Sequence, residues 1–146
     1  MRDRRGFTLV EIVIVIVLIA LMSAFAIPRI STALVKQNVR SARVAITTLH
    51  AKARAYAIQR ARQVALVTRN NEIYLISMTP VTDVVDTINA PVNLNDRYGV
   101  TVTTNNDSIV FDPRGLGTAT TTTNIVVSKD VFADTVKITP AGNIMQ

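Results

Sequence analysis

Several residue types on which other functions depend are missing or scarce in this chain. Its 146 residues include no cysteine, no tryptophan and one histidine, His50. Without cysteine the chain has no disulfide framework, no thiolate nucleophile and no cysteine-based metal site. His50 has no acidic residue near it in sequence, so we expect a surface residue rather than a catalytic base. The composition therefore argues against an enzyme.

Sequence motifs for catalysis or cofactor binding are also missing. The serines lack a G-x-S-x-G setting, and no H-x-x-H, phosphate loop or dinucleotide fingerprint occurs. Residues 79–97 are predicted to form a long loop that holds Asp83, Asp86 and Asp96. A calcium site needs several converging oxygen ligands, so these scattered aspartates are a weak signal. We expect no cofactor and no metal, although the sequence leaves calcium binding by this loop open.

Acidic residues are absent from a long stretch of the chain. None occurs between Glu11 and Glu72, whereas nine basic residues lie between Arg29 and Arg69 and the formal net charge is +6. Most acidic residues fall in the C-terminal half. The first half of the chain is therefore strongly basic outside its apolar segment.

An apolar run follows a short basic leader. Residues 12–27 carry no charge, and the 21 residues from Phe7 to Ile27 would form a helix of about 32 Å, close to the thickness of the hydrocarbon core of a bilayer. The leader has three arginines against Asp3, and the positive-inside rule places such an N-terminus in the cytoplasm. These features predict a transmembrane helix with the rest of the chain periplasmic or extracellular.

Glu11 stands at the head of the apolar run, where a charge near the bilayer core costs about 2.5–3.5 kcal/mol. One interpretation is local, because Thr8-Leu9-Val10-Glu11 fits a capping box at a helix N-terminus. The other is a role between subunits, and both can hold in different assembly states.

The apolar segment has two further interpretations, a cleaved secretory signal ending at Ala24-Phe25-Ala26 and a plain membrane anchor. Glu11 argues against the secretory signal, which has no use for a carboxylate in its apolar region.

The residues GFTLVE, the apolar run and Pro28 together resemble the class III signal of type IV pilins and of the pseudopilins of type II secretion. The resemblance implies that a prepilin peptidase cuts between Gly6 and Phe7 and that Phe7 is then N-methylated. It also implies that Glu11 pairs with the N-terminal amine of a neighbouring pilin or pseudopilin subunit. Many major pilins carry a C-terminal disulfide loop, so the lack of cysteine favours a minor subunit.

Beyond the apolar run the helix is predicted to continue to about Arg60, with a kink at Pro28. Apolar residues recur at alternating spacings of three and four, which is typical of one buried helix face: Val35, Val39, Ala42, Ile46, Leu49, Ala53 and Tyr56.

Four cations of this segment, Lys36, Arg40, Arg43 and Arg54, fall within an arc of about 60° on a helical projection. This basic stripe could be a solvated face near anionic head groups, a DNA phosphate contact with strong salt dependence, or a contact with a charge-matched subunit. Aromatic residues that would stack on single-stranded bases are lacking, since only Tyr56 is near.

The remaining chain is predicted to be β-rich. Asn70-Asn71 separates two strands of a hairpin at 63–69 and 72–77, and the predicted turns are Asn105-Asn106-Asp107 and residues 112–117. Four further strands are predicted at Gly99–Thr104, Ser108–Phe111, Asn124–Ser128 and Thr135–Thr139.

Several segments are similar to the H-type pseudopilin and FimT (GspH/FimT-like) branch of this family: AITTLHAKARAYAIQRARQVALV, NNEIYLI, FDPRGLG and ITPAGNI. This resemblance implies a structural minor subunit of a type II secretion or type IV pilus filament. FimT-like DNA uptake through the basic stripe is the alternative. It is weakened because Gly142 is followed by NIMQ, whereas the DNA-uptake proteins tend to have an arginine-rich turn there.

The sequence pattern predicts an α+β fold with a long N-terminal helix packed on a small antiparallel β domain, and the resemblance implies a pilin-like fold in the inner membrane. The expected segments are a leader at 1–6, a transmembrane and assembly helix at 7–27, an amphipathic periplasmic helix at 28–61 and a β domain at 62–146. The expected partners are prepilin peptidase, other pilin or pseudopilin subunits and the membrane, with DNA as the alternative. The choice between secretion system and pilus is left open.

Overall fold

The computed structural model describes residues 7–78 and 85–145. The compact units of the chain divide between Leu34 and Val35. In chain order the elements are α1 (Leu9–Arg60), β1 (Gln63–Arg69), β2 (Glu72–Met78), β3 (Val85–Thr87), β4 (Val92–Asn93), α2 (Leu94–Tyr98), β5 (Thr101–Thr104), β6 (Ser108–Phe111), β7 (Thr123–Lys129), β8 (Phe132–Ile138) and β9 (Ile144–Met145). The prediction of a long helix ending at Arg60 is confirmed.

The part of α1 before Val35 has only Glu11 and Arg29 as charged residues, and its large apolar side chains are exposed. Its helical assignment is continuous through Pro28, and the kink there stays a prediction. An 18-residue window of α1 has a mean hydropathy of 2.9, which makes the helix long and apolar enough to cross a membrane. Such a helix cannot be stable with this surface in water, so it needs lipid or other helices around it.

From Val35 onward α1 buries one face. The spacing of three and four residues places these side chains in a stripe, and all of them are buried: Val39, Ala42, Ile46, Leu49, Ala53 and Ala57. Ala57 extends the predicted stripe, whereas Tyr56 is half-buried at its margin. The predicted amphipathic face is therefore confirmed from Val39 to Ala53.

Two antiparallel sheets complete the core. The first sheet has the order β3-β2-β1-β6, with β4 also paired to β2, and the second has the order β5-β7-β8-β9. Alternate residues of β2 and β7 are buried, as expected for sheets with one covered face. Side chains from both sheets and from α1 form one hydrophobic cluster.

The predicted hairpin is confirmed. β1 and β2 pair in register from Gln63 with Met78 to Arg69 with Glu72. Asn70 and Asn71 have φ values of 51° and 64°, which is the left-handed conformation that a two-residue type I′ turn requires. The Asn71 side chain also accepts a hydrogen bond from the Val102 backbone N–H (2.7 Å), so this turn bonds to the first residues of the second sheet.

The prediction of a long loop over 79–97 is wrong from Val85 onward, where β3, β4 and α2 lie; residues 79–84 are outside the described part of the chain. The asparagines that predicted a loop have structural roles. Asn89 Oδ1 accepts from the Leu75 backbone N–H (2.7 Å), and Asn93 Oδ1 caps α2 through the Asn95 and Asp96 N–H groups. The hydrogen-bonding side chains stabilise short elements here rather than an irregular loop.

All four further strands are confirmed within two or three residues of their predicted bounds, but β9 was not expected. β5 and β6, which follow one another across the turn at 105–107, belong to different sheets. β6 pairs with β1, and β5 pairs with β7. The turn therefore carries the chain from one sheet to the other.

Two loops meet next to α1, and we call this place the loop junction (residues 112–117 and 139–143). The Gly117 N–H donates to the Ala141 carbonyl (3.0 Å). Asp112 holds the first loop by accepting from the Leu116 and Arg114 backbone N–H groups and from the Arg114 side chain. These hydrogen bonds, that from Leu116 foremost, hold the pKa of Asp112 below its usual range.

His50 lies beside the loop junction, and the expectation of a surface residue is wrong. Its side chain is 5% exposed and meets the Phe111 ring edge to face at 5.1 Å between centroids. Within the described part of the chain its Nε2 has no hydrogen-bond partner. Burial lowers the pKa of His50, the Gly142 backbone opposes this shift and the Arg54 charge adds to it.

We expect Gly117→Ala to destabilise the domain. An added methyl group would lie 2.5 Å from the Pro140 carbonyl oxygen and 2.7 Å from the Gly142 nitrogen, and backbone atoms cannot move away cheaply. The expected loss is about 1–3 kcal/mol in the free energy of unfolding, measured by urea denaturation. The segment 29–146 suits this measurement because every core side chain lies at or beyond Val39.

The matched control is Leu116→Ala, since the Leu116 side chain is 43% exposed. Its expected effect is about 0.5 kcal/mol or less. Equal stability of the Gly117→Ala variant and the unsubstituted segment would show that the two loops do not pack as described.

A second expectation concerns pH. Because the folded state lowers the pKa of His50, it favours the neutral imidazole; its stabilising effect is full above the unfolded pKa of about 6.5 and is lost as pH falls toward the folded pKa. We expect the free energy of unfolding of segment 29–146 to fall between pH 7.5 and 5.5, and His50→Leu to reduce that slope. An unchanged slope in the variant would contradict the assignment to His50.

Candidate functional site

The first turn of α1 is capped by the residue before it. Thr8 Oγ1 accepts a hydrogen bond from the Glu11 backbone N–H (3.2 Å), and the Thr8 carbonyl accepts from the Ile12 N–H (3.3 Å). Thr8 therefore forms its half of the capping box and fixes where the helix begins. Gly6 lies outside the described residues.

The Glu11 carboxylate has no partner in the described part of the chain, neither a hydrogen bond nor an ion pair. It is exposed in the first turn of α1, where the helix dipole favours a negative charge. Its neighbours Leu9, Val10 and Ile12 are exposed and apolar. An unpaired carboxylate in such surroundings is suited to bind a cation supplied from outside its own chain.

A broad apolar surface follows Glu11 along α1. Its large side chains are exposed by between 46% and 74% from Ile12 to Phe25. One face forms a shallow hollow whose members recur at spacings of three and four: Met22, Phe25, Ala26, Arg29 and Ile30. A surface of this kind is a packing surface for lipid or for other helices.

Three of the four cations of the predicted basic stripe contact residues in or next to the second sheet. The Lys36 ammonium lies 4.9 Å from the centre of the Phe132 ring, and Arg43 forms an ion pair with Asp134 at 3.0 Å. Farther along, Arg54 donates to Asn143 Oδ1 (3.3 Å). The sequence did not reveal these partners, because Arg43 and Asp134 are 91 positions apart and nothing local links them.

Arg40 differs from the other three cations. It is exposed and has no hydrogen bond or ion pair with any described residue. It lines an open groove of about 640 Å³ together with Arg43, Val44, Thr47 and Ile144. It also lines an adjoining groove of about 300 Å³ near Phe132 and Asp134.

Metal-binding clusters do not occur among the described residues, where no three His, Asp or Glu side chains come together. Asp86 lies in β3 and Asp96 in α2, whereas Asp83 is outside the described part. Calcium binding at 79–97 therefore has no described cluster to support it. The chemistry that the described side chains offer is that of packing and charge pairing.

Comparisons with known proteins agree with this geometry. Two crystal forms of the type IV minor pilin FimU of Pseudomonas aeruginosa share the fold, with TM-scores of 0.61 and 0.57. Their identities are 12% and 13%; the alignments cover 75% and 73% of this chain and 88% and 90% of FimU. The pilin-like α+β fold is thereby confirmed. No curated protein matches the chain significantly.

Family profiles match both parts of the sequence. The prokaryotic N-terminal methylation motif matches residues 1–27, and the profile described as type II transport protein GspH matches residues 42–142. The second match includes most of the buried face of α1, nearly all of both sheets and most of the loop junction. The chain therefore belongs to the GspH family of type II transport proteins, the minor pseudopilins, and carries the N-terminal methylation motif at its head.

Proposed function

We propose that this minor pseudopilin is a structural subunit of a pilin-like filament, stored in the inner membrane and extracted into the filament through α1. The observation that carries the proposal is the exposed apolar helix headed by one unpaired carboxylate, Glu11. A soluble domain would gain nothing from such a helix, whereas a filament packs many of them side by side. We propose no catalytic role for the chain.

The orientation before extraction follows from charge. Arg2, Arg4 and Arg5 precede the apolar run, which supports a cytoplasmic N-terminus and a periplasmic second unit. Residues 1–6 are the leader, 7–27 the membrane and assembly segment, 28–61 the amphipathic segment and 62–146 the β domain.

The leader is removed between Gly6 and Phe7 by a prepilin peptidase, and Phe7 is then N-methylated. The match of the methylation motif over residues 1–27 supports this processing. Phe7 and Thr8 precede the first helical residue, Leu9, which leaves the new N-terminus free at the end of α1. Cleavage therefore creates a positively charged amine at Phe7, close in the chain to the Glu11 carboxylate.

Glu11 pairs with the N-terminal amine of a neighbouring subunit. A lone carboxylate within the bilayer costs about 2.5–3.5 kcal/mol on insertion scales, and a lone amine is similarly unfavourable. When two subunits bring the carboxylate and the amine together, the two groups form an ion pair and neither charge stays unpaired. Since helices in lipid gain little from apolar contact alone, this pairing also defines the register of adjacent helices.

The filament belongs to a type II secretion system. The family match over residues 42–142 supports this assignment, and the likeness to FimU supports the pilin-like fold shared by secretion and pilus machines. A type IV pilus is the second candidate. Deletion of the gene separates them, because loss of secreted proteins with periplasmic retention indicates secretion, whereas loss of surface pili with normal secretion indicates a pilus.

We expect Gly6→Ala to leave the leader uncut. The peptidase must accept a residue without a side chain before Phe7, and the N-terminal mass of the purified protein measures the outcome directly. Arg5→Ala is the matched control and should still be cut. A mature N-terminus at Phe7 in the Gly6→Ala protein would contradict the proposed processing site.

We expect Glu11→Ala to be processed normally but to be missing from the filaments, with incorporation reduced about tenfold or more because the neighbouring amine stays unpaired. Filaments are purified, and the chain is quantified in them and in the membrane by immunoblot. Glu11→Asp keeps the charge and should assemble better than the alanine variant. Normal incorporation of Glu11→Ala would refute this role for Glu11.

A further inference from the structure

We infer that the groove around Arg40 is a docking site for a carboxylate-bearing segment of a neighbouring filament subunit. This inference rests on the proposed function, since it needs a filament in which subunits lie side by side. The groove lies in the unit that begins at Val35, whereas the proposed assembly contact of Glu11 lies in the unit before it. The inference rests on the unpaired guanidinium of Arg40, which lines two grooves, and on the exposed apolar side chain of Val44 beside it.

The charge of Arg40 is not balanced from within the described chain. Arg43, one turn away on the same stripe, is paired with Asp134, whose carboxylate lines the smaller groove. Lys36 lies over Phe132. The helix offers no acid near Arg40, because none occurs between Glu11 in its first turn and Glu72. A guanidinium in this setting recognises a planar carboxylate through two parallel hydrogen bonds.

The rest of the groove fits an amphipathic peptide segment. Val44 is 55% exposed, and it lines the groove together with Ile144 of β9. Thr47 donates its hydroxyl hydrogen to the Val44 carbonyl (3.0 Å), which leaves the hydroxyl oxygen as an acceptor. The site therefore combines one unpaired cation, one acceptor and apolar contact area, as interface cores with a polar rim do.

DNA fits these contacts less well than a protein segment. Binding along a phosphate backbone requires several free cations, each neutralising one phosphate. Of the four cations of the basic stripe, Arg43 is neutralised by Asp134, and Lys36 and Arg54 are held against Phe132 and Asn143. A single free guanidinium beside Val44 matches one carboxylate with an apolar neighbour.

The test is photo-crosslinking of the full-length chain in its own cells, with a photo-reactive amino acid in place of Val44. We expect a crosslink to another filament subunit, and mass spectrometry should find an Asp or Glu within a few residues of the attachment point. Adding Arg40→Glu should reduce the crosslink about tenfold or more, whereas Arg40→Lys should retain most of it. Arg62→Glu, an exposed charge change beyond the helix, should have no effect.

A control with the photo-reactive residue at Val131, which is 88% exposed at the turn between β7 and β8, reports the crosslinking of an exposed position outside the groove. A nuclease-sensitive or lipid crosslink at position 44 overturns the inference, as does a subunit crosslink that is insensitive to Arg40→Glu. A chain recovered in filaments without any crosslink at position 44 also overturns it. Absence of the unsubstituted chain from filaments instead refutes the proposed function, and the inference with it.

Discussion

The burial of one face of α1 is the constraint on which the rest of the folded unit depends. Three of the six buried apolar positions of this face are alanines, and the other three are the larger Val39, Ile46 and Leu49. Both sheets contribute to this single cluster, so neither has a core of its own. Burial of each large apolar side chain in this cluster contributes about 1.5–3 kcal/mol.

Polar contacts between α1 and the second sheet make this apolar packing specific. The described partners of the basic stripe, Phe132, Asp134 and Asn143, all follow β7 and lie in or next to the second sheet. In the ion pair between Arg43 and Asp134 each side chain is 33% exposed, so the pair contributes little to the stability of the fold by itself. The ion pair instead favours the observed register of β8, because a shift of β8 by one residue would move Asp134 to the other face of the sheet. The loop junction fixes the opposite end of the same sheet through Gly117 and Gly142.

The elements that could be predicted from sequence are those with local causes. The spacing of apolar residues defined the buried face of α1, and Asn70-Asn71 defined the first hairpin, because positive φ is required at both residues. The N-terminal motif was sufficient to single out Glu11, since the carboxylate and the apolar run are adjacent in the chain. Long-range contacts had no such signal. The loop prediction over 85–97 failed because Asn89 and Asn93 bond to β2 and α2, and the burial of His50 depends on Phe111, 61 positions away.

The arrangement of cations on α1 makes physical sense only with the sheet in place. Lys36, Arg40 and Arg43 are four and three residues apart, and like charges at these spacings destabilise an isolated helix by about 0.2–0.5 kcal/mol per pair. Phe132 and Asp134 offset this repulsion at the two ends of the triplet. The repulsion on Arg40 is thereby weakened, but its own guanidinium stays without a counter-ion among the described residues. Because α1 has no acidic residue after Glu11, the Arg40 charge is directed outward, toward whatever lies next to it in the assembled filament.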